Sequence, residues 1–336
     1  MLVCSAPGRA GVIGNPTDMY GGSVLSCSIA ERAYVQIEEA GCLTLETQGQ
    51  TFTLQDQGDL QLRDDLFDIG RAIFSYVRFP DLRCHIRYRS EIPVKAGVGG
   101  STALTVAMLY GLLEYQRIEA HKYRLAEMAR YIELNFLRVV CGYQDAYMCT
   151  FGGLNYMDFQ GKQFYREAEA ELYATIEPLH GYVPELPFVL AHTGVQHSSG
   201  AVHKPIRERW LEGEREVRDA YVSIARLARE GKKALLQEDW SRLGRLMNRN
   251  HAIQRDLGGS GESNERLIRV ALDHGALGAK LAGAGDGGTI IALHQDPEEM
   301  IEGLMEAGAE RIFSLHPSDG VQMEDVDAFL VSETEV

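Results

Sequence analysis

Between Lys95 and Thr102 the chain reads Lys-Ala-Gly-Val-Gly-Gly-Ser-Thr and then stays largely apolar as far as Leu113. Glycines at 97, 99 and 100 permit backbone conformations and close approaches that a Cβ would forbid. The apolar stretch predicts a helix from about Ser101 to Tyr115, fed directly by the glycine turn. The first N–H groups of such a helix have no partner within it and carry the positive end of its dipole, so the turn is a ready anion site. Ser101 and Thr102 add hydroxyls in the first turn, where one can meet a phosphate or a cation. The spacing is neither the Walker A loop nor the dinucleotide fingerprint. Alone, the loop says only that an anion can bind there.

The 336 residues suffice for two domains, and 45% hydrophobic with 24% charged residues is the composition of a globular chain with a real core. A formal net charge of -15 disfavours nucleic acid as a partner, and no Lys/Arg cluster is large enough to build a basic face. The six cysteines (Cys4, Cys27, Cys42, Cys84, Cys141, Cys149) show no Cys-x-x-Cys pair, which fits a reducing, cytoplasmic compartment. The first residues lack a basic region and hold Arg9 where a signal peptide would be apolar, so none is expected. No segment is long and apolar enough to predict a membrane span. The ten histidines show no metal-ligand spacing.

Leu2–Ala6 reads as a short strand stopped by a turn at Pro7-Gly8, and Val24–Ile29 and Ala33–Ile37 as two further strands. Leu43 to Leu54 adds two short alternating segments around Gly49. Apolar spacing predicts helices over Asp64–Val77 and Tyr123–Leu137, with a strand over Arg83–Arg89 between the first of these and the glycine loop. Phe188–His192 and Thr289–Leu293 read as buried strands. Trp210–Met247, Glu265–His274 and Pro297–Ala309 read as helical. Strands and helices mix without a steady βαβ alternation, so the class is α+β. Prolines 178, 184 and 187 punctuate a polar stretch where the domains should divide, giving domains of 1–175 and 176–336.

Three segments together resemble the three motifs of the GHMP kinases (galactokinase, homoserine kinase, mevalonate kinase and phosphomevalonate kinase). They are Ala6-Pro-Gly-Arg-Ala-Gly-Val-Ile-Gly-Asn-Pro-Thr-Asp18, Pro93-Val-Lys-Ala-Gly-Val-Gly-Gly-Ser-Thr102 and Lys280-Leu-Ala-Gly-Ala-Gly-Asp-Gly-Gly288, in family order and spanning nearly the whole chain. Within the family the chain is most similar to glucuronokinases and less so to heptose-phosphate kinases. That finer resemblance rests on Gly14–Gly22, on Gly142-Tyr-Gln-Asp145 leading into Phe151–Phe159, and on Ser199–Trp210.

The resemblance implies an N-terminal domain like ribosomal protein S5 domain 2, a ferredoxin-like C-terminal domain, and a ligand cleft between them. It implies a phosphotransferase with an alcohol group as acceptor, using ATP and Mg2+ and carrying the γ-phosphate to a sugar hydroxyl. The glucuronokinase likeness makes the expected acceptor the anomeric 1-OH of a uronic acid or related monosaccharide. Asp145 would accept or orient the proton of that hydroxyl. Arg9, which cannot act as a base, would serve it as a counter-ion and stabilise charge.

The phosphates would lie against Lys95, Ala96, Gly97, Val98, Gly99, Gly100, Ser101 and Thr102, with Gly283 and Gly285 of the third motif opposite. Glu133 and Ser101 would meet Mg2+, which takes few protein ligands. Gly100 stands where many members have a serine, which leaves the hydroxyl contact open between Ser101 and Thr102. Asn15, Asp18, Tyr20, Gln144 and Gly153 would face the sugar, and Arg207 or Arg209 would offer a fork of donors to a uronate carboxylate. Asp286 departs from the all-glycine run of the third motif, and its role is open.

Two alternatives stand beside this reading: another GHMP substrate such as a heptose phosphate or an isoprenoid acid, and a catalytically inactive sugar-sensing regulator. Such a regulator should have lost Arg9, Asp145 or a loop glycine, and all are present. The partners expected are a small sugar and ATP, with neither nucleic acid nor membrane.

Overall fold

The computed structural model describes residues 1–77, 82–93, 96–162, 170–195, 199–283 and 285–326. In chain order, β1 (Leu2–Ile13), β2 (Ser23–Glu39), β3 (Leu43–Thr47) and β4 (Gln50–Leu54) precede α1 (Asp68–Tyr76) and β5 (Cys84–Ser90). Then come α2 (Gly100–Tyr115), α3 (Lys122–Asn135), α4 (Gln144–Phe151), β6 (Leu154–Asp158), β7 (Thr175–Pro178) and β8 (Phe188–His192). The helices α5 (Ser199–Leu211), α6 (Arg215–Leu236), α7 (Trp240–Asp256) and α8 (Glu262–Asp273) follow. The chain closes with β9 (Gly278–Leu281), β10 (Thr289–Leu293), α9 (Glu298–Glu306), β11 (Arg311–Ser314) and β12 (Gln322–Met323).

The first sheet is organised by β2, which pairs with β1 along one edge and divides its other edge between β6 and β5. It is one long strand rather than the two expected. β1 likewise runs through Pro7-Gly8 instead of turning there. Its register shifts between Pro7 and Arg9 and again between Gly11 and Ile13, and a bulge is where a strand tolerates proline and glycine. These shifts re-aim the side chains of the first motif. Helix α1 starts at Asp68 rather than Asp64 because the Asp68 carboxylate accepts the N–H groups of Arg63 and Asp64 at 2.9 and 2.8 Å, fixing a turn ahead of it. Helix α4, which carries Asp145, was not anticipated.

The second sheet has strand order β11-β8-β10-β9, all antiparallel. With helices between β8 and β9 and α9 between β10 and β11, that is the β-α-β-β-α-β order of a ferredoxin-like unit. Alternation sorts its faces. Val189, Ala191, Ile290 and Ala292 pack under α8 and α9 as a separate core. Phe188, Leu190, Ile291 and Leu293 join the large core that also holds the first sheet, α2 to α4, and the inner faces of α6 and α7. One continuous apolar interior therefore fixes the two layers against each other.

The expected division at 175/176 falls at the first residue of β7, which belongs to the first sheet. The chain also returns there at its far end. β12 pairs with β1, and the buried Arg32 donates to the carbonyl oxygens of Asp319 and Gly320 at 2.7 and 2.8 Å.

Candidate active site

The N-terminus of α2 forms the floor of the site. Gly99 is its N-cap with φ 79°, no side chain caps it, and the first helical N–H to find a backbone partner is Ala103, on Gly99 O. The N–H groups of Gly100, Ser101 and Thr102 thus head the helix uncapped by any side chain. A Cβ at Gly100 would lie 3.2 Å from Ile92 Cγ2, so a serine at this position would press on Ile92. Lys95 lies outside the described residues.

Arg9 gathers the motifs. Its guanidinium reaches Asp145 Oδ1 through Nε at 2.7 Å and through a second nitrogen at 2.6 Å, and donates to Gly97 O at 2.6 Å and Ala282 O at 3.4 Å. Its own N–H donates to Val98 O at 2.8 Å, while Gly11 N–H reaches Ala282 O at 2.9 Å. The first motif, the glycine loop, the third motif and α4 therefore converge on one buried side chain. The third motif comes so close that a Cβ at Gly283 would sit 2.1 Å from Gly97 O. Thr289 Oγ1 adds a bond to Ala96 O at 2.9 Å, tying the second sheet to the loop. Gly285 turns with φ 100° against Gly259.

Glu133, on α3, is buried and accepts Thr102 Oγ1 at 2.8 Å and Ser101 Oγ at 3.3 Å. Burial, reinforced by the charge of Asp145, pushes its carboxyl up to about 7. Ser101, Thr102, Glu133 and Asp145 thus form an oxygen-lined corner beside the helix N-terminus.

The residues expected to face a sugar fall into two groups. Asp18 and Asn15 are committed internally. Asp18, in a short 3-10 turn (Thr17–Tyr20), accepts the N–H groups of Tyr143 and Gln144 at 2.7 and 2.9 Å, so it caps α4 and sets the direction of Asp145. Burial raises its carboxyl above the ordinary range. The Asn15 amide is used at both ends, Nδ2 donating to Gly283 O at 3.1 Å and Oδ1 accepting Lys280 Nζ at 2.7 Å. Gln144 is buried and donates to Ser26 Oγ at 3.0 Å. Gly153 is taken up by the C-terminal return, its N–H shared between Ser28 Oγ and Ser318 O.

Tyr20 stacks on Tyr221 at 4.2 Å and tilts against Trp210 at 5.0 Å, and burial pushes its phenol up to about 12. Arg207 is buried on α5, one turn before Trp210 and within the field of Tyr20. Arg209 faces away and is held by Glu214 at 2.6 and 2.8 Å.

Two residues went unassigned in the sequence. Arg130 sits one turn before Glu133 on α3, with its guanidinium 4.3 Å from the ring centre of Tyr143; helical i, i+3 spacing from Glu133 was the available signal. Lys280 is completely buried behind Asn15; a charged residue inside a short apolar strand, at the head of the third motif, was its sign. Asp286 adopts φ 55° on the exposed rim, its carboxylate over Gly261 at the start of α8.

Comparison with known proteins agrees with this convergence of three motifs. Residues 69–153 match the GHMP kinases N terminal domain, residues 232–309 the GHMP kinases C terminal domain, and residues 2–39 the galactokinase galactose-binding signature. The chain belongs to the GHMP kinases and is a phosphotransferase with an alcohol group as acceptor, built on that family's two-domain α+β fold.

Among its relatives, probable glucuronokinase 2 of Arabidopsis thaliana is 29% identical over 87% of this chain and 84% of that protein. Mevalonate kinase of Pyrococcus abyssi is 27% identical over 97% and 98%. In structure, the D-glycero-D-manno-heptose 1-phosphate kinase of Bacteroides thetaiotaomicron superposes with a TM-score of 0.72 at 22% identity, covering 97% of this chain and 99% of that one.

Proposed function

We propose that the protein is an ATP- and Mg2+-dependent sugar kinase that phosphorylates the anomeric 1-OH of a uronic acid or a related monosaccharide. The observation that carries this reading is the Arg9 bridge, which joins Asp145 to the carbonyl oxygens of Gly97 and Ala282. A carboxylate poised for the acceptor hydroxyl is thereby placed beside a glycine loop suited to phosphates.

In this reading Asp145 accepts the hydrogen bond of the attacking hydroxyl and takes its proton as the phosphoryl group transfers. Arg9 stabilises the charge that builds between donor and acceptor. The N–H groups of Gly100, Ser101 and Thr102 hold the phosphate oxygens at the head of α2. Glu133 with Ser101 or Thr102 fits Mg2+, since the set is all oxygen, contains one buried carboxylate, and lies next to a second. When bound, the ion would neutralise phosphate charge. Gly283 against Gly97 closes the cradle from the side of the third motif.

The uronic acid is favoured by Arg207, whose buried guanidinium lies near Tyr20, on the side of α4 where Asp18 caps the helix. Burial lowers its proton affinity below that of a free arginine. All six cysteines are free, as in a reducing compartment, and among the described residues no helix is long and apolar enough to cross a membrane.

The experiment is a coupled ADP-release assay with Mg-ATP and a panel of uronic acids, neutral hexoses, heptose phosphates and mevalonate. Turnover on a uronic acid with a 1-phosphate product is the expected result. Activity confined to mevalonate or a heptose phosphate would reject the substrate assignment and leave the phosphotransferase intact.

A further inference from the structure

We propose that Asn264 is a positioning residue of the phosphate site, holding the turn of the third motif against the glycine loop through a two-point grip on Gly287. This rests on the reading that nucleotide phosphates bind between residues 96–102 and Gly283.

Asn264 lies in the first turn of α8 and is completely buried. Its Oδ1 accepts the N–H of Gly287 at 2.6 Å, and its Nδ2 donates to the carbonyl oxygen of Gly287 at 2.9 Å. Only one orientation of the amide satisfies both bonds, so the side chain pairs with the backbone as a neighbouring strand would. Burying an amide is costly unless it is bonded, and asparagine is a weak helix former. Nothing within α8 calls for this residue; its partner is the turn.

The strands on either side of the turn are placed by the second sheet. Ala282 N–H donates to Thr289 O at 3.0 Å, and Gly288 is bonded to Thr193 and Val195 at 2.8 and 3.0 Å. Between them the chain passes through Gly285 and Gly287 with φ 100° and 107°, two positions with no side chain to brace them. Two asparagine amides brace the turn instead. Asn15 Nδ2 holds Gly283 O on the side of the first motif, and Asn264 holds Gly287 on the side of α8.

The loop ahead of α8 adds a bed for the turn. A Cβ at Gly285 would lie 2.0 Å from Gly259 O, and one at Gly261 would lie 2.9 Å from Asp286 Cα. That loop is itself fixed by Glu265, whose Oε1 accepts Ser260 Oγ at 2.6 Å and meets His251 Nε2 at 2.8 Å. Without Asn264 the buried N–H and carbonyl of Gly287 lose their partners, and swinging the turn toward water restores them. Gly283, which packs on Gly97 O, would move with it. Asn264 touches no phosphate in this scheme and acts through the turn.

The test compares the wild type with Asn264→Leu, which keeps the size and neutrality of the side chain and removes both bonds. Asn264→Ser, too short to grip both groups of Gly287, repeats it in a milder form. Met300→Ala, which opens a cavity in the separate core of α8 and α9, is the control for lost stability alone. Titration with a non-hydrolysable ATP analogue plus Mg2+, and separately with inorganic tripolyphosphate, reads the site. Alanine labelled with carbon-13 at the carbonyl, together with nitrogen-15 glycine, selects the amides of glycines that follow alanine. These include Gly97 and Gly283, with Gly41 between β2 and β3 as a reference.

Asn264→Leu should bind each ligand about 10-fold more weakly and shift the Gly97 and Gly283 amides but not that of Gly41. Asn264→Ser should change in the same sense. Met300→Ala should lower the melting temperature while both affinities and both loop amides stay near wild type.

Unchanged affinity, or unmoved Gly97 and Gly283 amides, in the folded Asn264 variants would overturn the proposal. So would an equal loss of affinity in Met300→Ala, or failure of both ligands to bind the wild type. Tripolyphosphate binding that weakens in the Asn264 variants, with no binding of the ATP analogue to the wild type, would uphold it and reject the nucleotide reading.

Discussion

Gly283 and Gly97 meet so closely that a single added carbon on the first would lie 2.1 Å from the carbonyl oxygen of the second. The contact is backbone against backbone, so no side chain can swing away to relieve it. Gly283→Ala must push the third motif off the glycine loop, which also pulls on Asn15 and on Ala282, the partner of Arg9. Displacing a reacting group by about 1 Å costs on the order of 100-fold in rate. Turnover of the variant should fall at least that far, and calorimetry should show weakened nucleotide binding. Unchanged kinetics would mean that the two motifs do not cooperate.

Arg9 and Asp145 should separate cleanly by what they fail to do. Asp145→Asn keeps the shape of the side chain and leaves the Arg9 bonds to Gly97 O and Ala282 O in place. It removes the proton acceptor, worth about 100- to 10,000-fold in turnover, and the negative charge facing Arg9, and nucleotide binding should stay near wild type. Arg9→Met removes the same charge pair and also strips the buried carbonyl oxygens of their donor, so it should lose both turnover and nucleotide affinity. Parallel titration of the two variants with the ATP analogue checks this, and equal affinities would contradict the bridging role.

The strands Phe188–His192 and Thr289–Leu293 were legible because both faces are buried, and a continuous apolar run says so. The turn expected at Pro7-Gly8 was misplaced because those residues usually end a strand, whereas here they sit in a bulge that the partner strand β2 stabilises. Helix α4 is short and opens with Gln144-Asp145, so no periodicity announced it; its start is fixed by Asp18, 125 residues earlier in the chain.

The same separation hid the use of Asp18. Its position within the first motif pointed to a ligand, and only the fold brings a helix N-terminus to its carboxylate. The Arg9–Asp145 pair was legible through family motifs alone, since no local pattern links residues 136 apart. Arg207 and Arg209 show the limit from the other side. Residues two apart on a helix face different directions, and here Arg209 turns to Glu214 while Arg207 is buried on the side of Tyr20.

Glu133 makes the protein sensitive to pH in a definite direction. Its carboxyl is raised from 4.5 to about 7, so between those values the folded protein binds more proton than the unfolded chain. Stability therefore falls as pH rises through that window, by an amount on the order of 3 kcal/mol for a shift of this size. Glu133→Gln should remove this dependence, visible as a flatter plot of denaturation midpoint against pH from about 4.5 to 7 in the absence of nucleotide. Mg2+ requires the ionised carboxylate, so the apparent affinity for Mg2+ in turnover should rise over the same range in the wild type. A pH profile of stability identical in the variant would show that the buried proton resides elsewhere.

Arg207 and Arg209 offer a paired test of the acidic substrate. Arg207 is buried near Tyr20, whereas the Arg209 guanidinium is spent on Glu214 at the helix end. Arg207→Gln should raise KM for a uronic acid by about 10- to 100-fold, the scale of one charge-assisted hydrogen-bond pair, while KM for Mg-ATP stays within about twofold. Arg209→Gln should leave both constants near wild type. The contrast with a neutral hexose is decisive, because an arginine that only supports the fold would depress turnover on acidic and neutral sugars alike. Selective loss on the acid identifies Arg207 as the carboxylate anchor; equal loss on both would remove the structural basis for a uronate substrate.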